Sequence, residues 1–385
     1  MASSRWFPAM AFSLFFVVAL LAAPEAPAAD GPVKVFILAG QSNMVGYGKS
    51  ENGRPPDDPD GQEIIGGLGS LRNMVANDWA TFGAGGTNPL VADTVTLSDV
   101  QNTSNKPLDW RVRNDVNVYI SIEKKDDGTG EVVRQGGHTT GFGKGNNRST
   151  SYPQIWNGPE YGFGLAVGNA LDEDVLLIKV ATGGTSLDVR WRSPTAAARG
   201  GEVGYMWTHM VDTVSDVLAN LGTEFPEYAG RTHEITGFGW HQGWNDRTGG
   251  DAMANAYEQN MADFIADVRT EFGADLPFVI ANTGMAMPAD TSSNAWTVVN
   301  AQNAMADFTK YPEHEGNVAV VNTIPMYRES DESPSNFGYH WNHNGVTYYE
   351  IGAGMGDAMV SLIPEPGTAM LLAPGGLLLL GRRRR

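Results

Sequence analysis

The chain has 385 residues, 42% of them apolar and 18% charged, with a formal net charge of −18. This is enough for one large domain or two ordinary ones, and the apolar share suits a soluble globular core. The acidic balance repels phosphate backbones and anionic lipid, which argues against nucleic acid as a partner, and the lack of cysteine excludes thiol catalysis and Cys-ligated metals.

Both ends come off before any fold reasoning. Arg5 precedes an apolar run from Phe7 to Ala23, and Ala26-Pro27-Ala28 matches the small-residue cleavage pattern, so residues 1–29 read as a secretory signal peptide. The run is short for a span of roughly 20 residues. At the other end, residues 363–385 carry Pro364-Glu365-Pro366, an apolar stretch from Ala369 to Leu380 and the cluster Arg382 to Arg385. Basic residues beside an apolar run stay on the cytoplasmic side, so the tail reads as a stop-transfer and sorting signal. It resembles the PEP-CTERM signal of Gram-negative bacteria. That resemblance implies exosortase-type processing, transient anchoring through this segment, and display or release at the cell surface; a simple C-terminal anchor is the plainer reading. Losing Arg5 and the four terminal arginines takes the basic residues from 26 to 21, and losing Glu25 and Glu365 takes the acidic ones from 44 to 42, so the mature chain is more acidic still, at −21.

Between these ends, residues 30–362 read as one domain. Five apolar runs have the Val/Ile content and Gly, Thr or Asn boundaries of buried parallel strands: Val33 to Ala39, Val175 to Ala181, Ile235 to Trp240, Phe278 to Asn282 and Val318 to Asn322. Helical patterns alternate with them, over Gly204 to Leu221, Ala252 to Phe272 and Thr347 to Ser361. In the second, Ala254, Tyr257, Met261, Phe264, Ile265 and Val268 recur at helical spacing before a stop at Gly273. The expected fold class is α/β, with a single doubly wound five-stranded parallel sheet. Residues 50–160 break the alternation. They are polar and rich in Gly and Asn, and read as a loop-rich insertion after the first strand, with a small hairpin from Val116 to Ile122 and Gly130 to Val133 lying over one end of the sheet and no second core.

Ligands of open α/β sheets bind outside the carboxyl ends of the strands, so those ends are where chemistry is expected. The first strand ends in Gly40-Gln41-Ser42-Asn43-Met44, where a glycine before the serine lets the backbone turn sharply and present a hydroxyl at a helix start; an ordinary N-cap serine would look the same. After the second strand, Thr182-Gly183-Gly184 allows close backbone approach to a ligand, or simply a tight turn. The third ends in His241-Gln242-Gly243-Trp244-Asn245-Asp246, dense in polar groups, and an Asn amide is a good oxyanion donor. Before the last helix, Gly338-Tyr339-His340-Trp341-Asn342-His343 supplies two imidazoles, and a serine nucleophile needs such a base.

Together these four pieces resemble the SGNH hydrolase superfamily, and more narrowly its sialate O-acetylesterase and acetylxylan esterase branch, carbohydrate esterase family six. Gly40 to Met44 matches that branch's Gly-Gln-Ser-Asn-Met block, Gly184 the second block, and Gly243 to Asp246 the Gly-x-Asn-Asp block. The resemblance implies a flavodoxin-like sheet and an acetylated carbohydrate as substrate. It assigns Ser42 as nucleophile, the N–H groups of Ser42 and Gly184 and the amide of Asn245 as oxyanion donors, and a histidine as base. His340 is preferred for its Tyr-His-aromatic-Asn context, with His343 as the alternative. Two departures leave the acid open. Phe337, not Asp, stands three before His340, and Trp244 replaces the Glu that often follows Gln-Gly in this branch. Asp246 is the first expectation, followed by Asp331 and Glu332. Gln41, Gln242, Trp244 and Arg190 are expected to contact substrate, with Trp191 and Arg192 also able to line a sugar site. Glu160 reads as a helix N-terminal charge. His138, His209, His233 and His314 lack metal-ligand spacing, so no metal and no cofactor are expected. A non-catalytic carbohydrate-binding protein on a degenerate esterase fold is the rival reading.

Overall fold

The strands at Val33–Gly40 (β1), Val175–Ala181 (β6), His233–His241 (β7), Phe278–Ala281 (β8) and Val318–Val321 (β9) coincide with the five apolar runs. The computed structural model describes residues 31–51, 67–101, 108–122, 132–144 and 156–363. The expected leader and the Pro-Glu-Pro tail therefore fall outside the described residues, as does part of the insertion.

The remaining elements in chain order are short helices at Ser42–Val45 (α1), Leu71–Asn77 (α2), Trp79–Phe82 (α3) and Leu97–Gln101 (α4), with a two-residue strand at Gly48–Lys49 (β2). Arg113–Ile122 (β3), Val132–His138 (β4) and Trp156–Asn157 (β5) follow, then the helix Pro159–Ala170 (α5). Beyond β6 lie Pro194–Ala198 (α6), Tyr205–Ala219 (α7), Leu221–Glu224 (α8), Trp244–Thr248 (α9), Asp251–Phe272 (α10), Asn294–Ala304 (α11) and Gly345–Leu362 (α12). Among the described residues no helix is long and apolar enough to cross a membrane.

The sheet has seven strands, not the five expected, in the order β4-β3-β6-β1-β7-β8-β9. The five anticipated strands are all parallel, and numbered among themselves they run 2-1-3-4-5. The two extra strands are the hairpin of the insertion. It does not lie over one end of the sheet. β3 pairs in parallel with β6, Val116 facing Val175, and β4 closes the edge antiparallel to β3. Polar residues of β3 have partners: the Asn117 amide donates to the Tyr228 hydroxyl (2.9 Å), and Ser121 Oγ lies 2.7 Å from His209 Nε2.

Helices cover both faces. Val35, Ile37, Ile178 and Trp240 point into a core shared with α7, α10 and α11, while Phe36, Leu38, Leu177 and Ala281 point towards α5 and α12. The insertion also builds a satellite core that the sequence reading missed, in which Leu71, Val75, Leu90, Val100 and Trp110 pack against Tyr161 and Leu165 of α5.

Helices α5 and α12 cross so closely that side chains are excluded at the contact. A Cβ on Gly162 would sit 2.1 Å from the Tyr349 carbonyl oxygen, and one on Gly352 would sit 2.0 Å from that of Pro159. Gly352→Leu should therefore separate the helices and lower stability by about 3 kcal/mol or more, read as a fall in the urea midpoint at unchanged m-value. An unchanged midpoint would show that the crossing has room to spare.

Candidate active site

Three of the four segments singled out in sequence follow β6, β1 and β7, which are neighbours in the sheet. The strand order switches sides at β1, with β6 added on one side and β7 on the other, so these ends meet at a topological switch point. Gly40 is required there: a Cβ would lie 2.2 Å from the His241 carbonyl oxygen, and its φ is +156°. With the strands this close, the chain turns at Gln41 into the four-residue α1, whose first residue is Ser42, 6% exposed. The first N–H groups of such a turn have no intrahelical acceptor.

Gln41 organises the cluster. Its Oε1 accepts from Gln242 Nε2 (3.1 Å) and from the backbone N–H groups of Gly243 (3.1 Å) and Asn245 (3.2 Å). Its Nε2 donates to Asn245 Oδ1 at 3.1 Å and lies 3.5 Å from Ser42 Oγ. Because Asn245 accepts through Oδ1, its Nδ2 is turned away from Gln41, and no hydrogen bond claims it among the described residues. Gly184, at φ +73°, turns the chain after β6, and a Cβ on neighbouring Gly183 would be 3.8 Å from Ser42 Cβ. Ser42, the glycine turn and Asn245 are thus brought together.

Gln41 and Gln242, expected to touch substrate, are instead 1% and 0% exposed and bonded into the scaffold. Gln242 Nε2 also donates to the Thr185 carbonyl (2.9 Å) and to Asp246 Oδ2 (2.6 Å), while its Oε1 accepts from the Tyr257 hydroxyl (3.1 Å). Trp191, also offered as a sugar platform, lies in the core edge-on to Trp240, its Nε1 donating to Thr185 Oγ1. Trp244 is half-buried, with the Arg247 guanidinium over its ring at 4.3 Å and Tyr339 beside it at 5.7 Å. Arg190 is half-buried, and its carbonyl accepts from the Met206 N–H at the start of α7.

Asp246, the first expectation for the acid behind the base, meets no histidine. Its carboxylate accepts from Gln242 Nε2 and from the N–H groups of Leu187 (2.9 Å) and Asp188 (3.1 Å). Burial pushes its carboxyl up to about 6, against those hydrogen bonds. It fastens the turn after β6 to the start of α9. Asp331 and Glu332 are exposed and face a groove of Leu68, Asn73, Asp78 and Arg328.

The histidines arrive on an unusual backbone. Trp341, Asn342 and His343 have φ of +52°, +52° and +58°, a left-handed run that L-residues rarely adopt and that costs of order 1 kcal/mol or more per residue. Buried Asn342 holds it, donating through Nδ2 to the Tyr327 hydroxyl and the Arg328 carbonyl, both at 3.0 Å. The His340 ring stacks on Tyr47 (centroids 4.0 Å apart, planes 16° apart), and no hydrogen bond reaches its nitrogens among the described residues. Burial, with the Lys144 charge adding to it, pushes His340 down to about 3. His343 is 4% exposed among Tyr47, Trp156 and Phe337.

A residue not singled out beforehand joins these pieces. Asn43 is buried, accepts from the Tyr348 hydroxyl at 2.7 Å and donates to the Tyr339 carbonyl at 3.1 Å, so the residue after Ser42 holds the backbone beside His340. Its place in the motif was the available signal. No group of three or more His, Asp or Glu among the described residues is arranged to hold a metal ion.

The chain is therefore an α/β protein whose polar centre lies over the carboxyl ends of three adjacent parallel strands. Residues 148–361 match the family model described as carbohydrate esterase, sialic acid-specific acetylesterase, and the chain belongs to that family of esterases acting on acetyl esters of sugars. The match begins after Ser42 and takes in Gly184, Asn245 and both late histidines. No curated protein matches the chain. Solved structures it is similar to include a protein from Arabidopsis thaliana (18% identity, 86% of this chain and 100% of that one, TM-score 0.46). A carbohydrate acetylesterase from Xanthomonas citri is similar at 12% identity over 86% of this chain and 56% of that one, TM-score 0.47, and NanS at 11% over 86% and 98%, TM-score 0.43. Likenesses this distant say nothing about activity.

Proposed function

We propose that the protein is an exported carbohydrate O-acetylesterase working by a Ser-His mechanism of the SGNH type. Ser42 attacks the acetyl carbonyl. The N–H groups of Ser42 and Gly184 and the Asn245 amide take the developing oxyanion, and His340 accepts the serine proton and returns it to the leaving sugar oxygen. The observation that carries this reading is the Gln41 side chain, which fastens the Ser42 turn and the Asn245 side chain to one another. Asp246 serves by holding the turn that presents Gly184. Trp244, with one face taken by Arg247, and Arg190 border the sugar. Export rests on the leader pattern of residues 1–29, and surface sorting by exosortase-type machinery on the Pro-Glu-Pro tail.

The rival reading, a carbohydrate-binding protein without turnover, draws on one observation: among the described residues no carboxylate is bonded to the His340 ring. A serine-directed phosphonate separates the two. The enzyme reading expects stoichiometric adduct at Ser42, located by mass spectrometry of the digested protein. An unlabelled Ser42 in folded protein would favour the binding reading.

A further inference from the structure

Lys179 interrupts an otherwise apolar strand, Val175–Ala181, and is wholly buried. Its ammonium donates to the Glu160 carboxylate (2.7 Å), the Phe142 carbonyl (2.7 Å) and the Val45 carbonyl (3.0 Å). Glu160 is equally buried, and its other oxygen accepts from the Gly158 N–H at 2.9 Å. Burial pushes the ammonium down to about 8, and the Glu160 charge resists that fall. Sequence alone suggested a helix-terminal charge for Glu160; the structure pairs it with a lysine from the neighbouring strand.

The place of this pair is informative. Val45 is the last residue of the turn that begins at Ser42. Gly46, next in the chain, donates its N–H to the Ser42 carbonyl at 3.0 Å and abuts Gly158 so tightly that a Cβ would lie 2.3 Å from the Gly158 Cα. The pair therefore fixes the Ser42 turn from both sides, through Val45 by the lysine and through Gly158 by the glutamate. Buried ion pairs are poor sources of stability, because desolvation offsets their attraction and apolar replacements are often neutral or better. A fixed location for backbone atoms is something an apolar pair would not supply.

We propose that Lys179 and Glu160 are positioning residues for the nucleophile: the ammonium holds the Ser42 turn in register over the sheet through the Val45 carbonyl, and the carboxylate holds the ammonium. Neither touches substrate or exchanges a proton with it. This rests on Ser42 being the nucleophile. A shift of about 1 Å in a reacting group can cost about a hundredfold.

The test replaces both charges in the full chain, as Lys179→Met with Glu160→Leu, and measures acetate release from an acetylated sugar together with the thermal midpoint. The expected result is a folded protein with a midpoint within a few degrees of the starting chain, KM within about twofold, and kcat lower by about 10- to 100-fold. Unchanged kcat in the folded double variant would overturn the proposal, since a merely structural pair would be replaceable. Should that variant not accumulate, Lys179→Met with Glu160→Gln is the second neutral pair, read in the same way; failure of both to fold would overturn the proposal too, by making the pair a folding element. Loss of the underlying Ser42 reading is separable: there Ser42→Ala itself would keep its turnover.

Discussion

Ser42→Ala should abolish acetate release from acetylated sugars, lowering kcat by about ten thousand- to a million-fold, the loss seen when a nucleophile that acts as a unit with its base is removed. The fold should survive. Among the described residues Ser42 Oγ has one long hydrogen-bond contact, 3.5 Å to Gln41 Nε2, and that Nε2 keeps its 3.1 Å bond to Asn245. Removing the hydroxyl leaves no strongly bonded partner stranded, so the change in unfolding free energy should stay within about 1 kcal/mol. Residual activity above water would come from the oxyanion donors, which the substitution leaves in place. Initial rates of acetate release, with circular dichroism to show the fold, make the comparison. Turnover within tenfold of the starting chain, on the order of 1.4 kcal/mol, would remove Ser42 from the mechanism.

Some of this was legible in sequence because it was local. Val33–Gly40 and Val175–Ala181 are buried along nearly their whole length, so each reads as an apolar run, broken by a single lysine, whatever its neighbours. The helix Asp251–Phe272 carried its own period and its glycine stop. β3 was misplaced for a non-local reason. Asn117 and Ser121 look like solvent-facing residues until Tyr228 and His209 meet them, and both partners come from segments far along the chain. At the candidate site, the placing of Ser42, Gly184 and Asn245 beyond neighbouring strand ends was legible because turns there have a compositional signature. The roles of Gln41 and Gln242 could not, since an amide bonded to three neighbours and one bonded to a sugar have the same one-letter code. Asp246 shows the same limit: its spacing beside Asn245 invited a catalytic role, whereas its oxygens are taken by the turn at Leu187 and Asp188. Lys179 was not singled out in sequence, and its meaning required Val45 and Glu160 to be seen beside it.

The base is the most exacting expectation. His340→Ala should lower kcat about as far as Ser42→Ala, because nucleophile and base act as one unit, and the double variant should be little worse than either alone. His343→Ala should cost far less in kcat, because His343 is sealed among aromatic rings, although removing that buried ring will also lower stability. Equal activity in His340→Ala and collapse in folded His343→Ala would reverse the assignment. The environment of His340 also sets the pH profile. A general base works in its neutral form, and burial holds this imidazole down to about 3, so kcat/KM should stay level from pH 7 to about pH 4 rather than falling near the ordinary histidine value of 6.5. Stability moves differently. A histidine whose folded pKa is lowered binds protons more readily when unfolded, so its contribution is present above pH 6.5 and is lost as pH falls from there towards 3. Acid profiles must therefore be taken on protein shown to be folded at each pH. The same burial carries a cost in the proposed mechanism, where an imidazolium forms as Ser42 attacks, and a tenfold lowering of its basicity opposes that by about 1.4 kcal/mol. With no described carboxylate on the ring, the charge that offsets this in the proposed mechanism is the oxyanion itself, held by Gly184 and Asn245. Loss of the Asn245 amide should then shift more than the rate: a tetrahedral charge held less well leaves His340 less able to take its proton, so Asn245→Ala and His340→Ala should combine far less than additively in kcat.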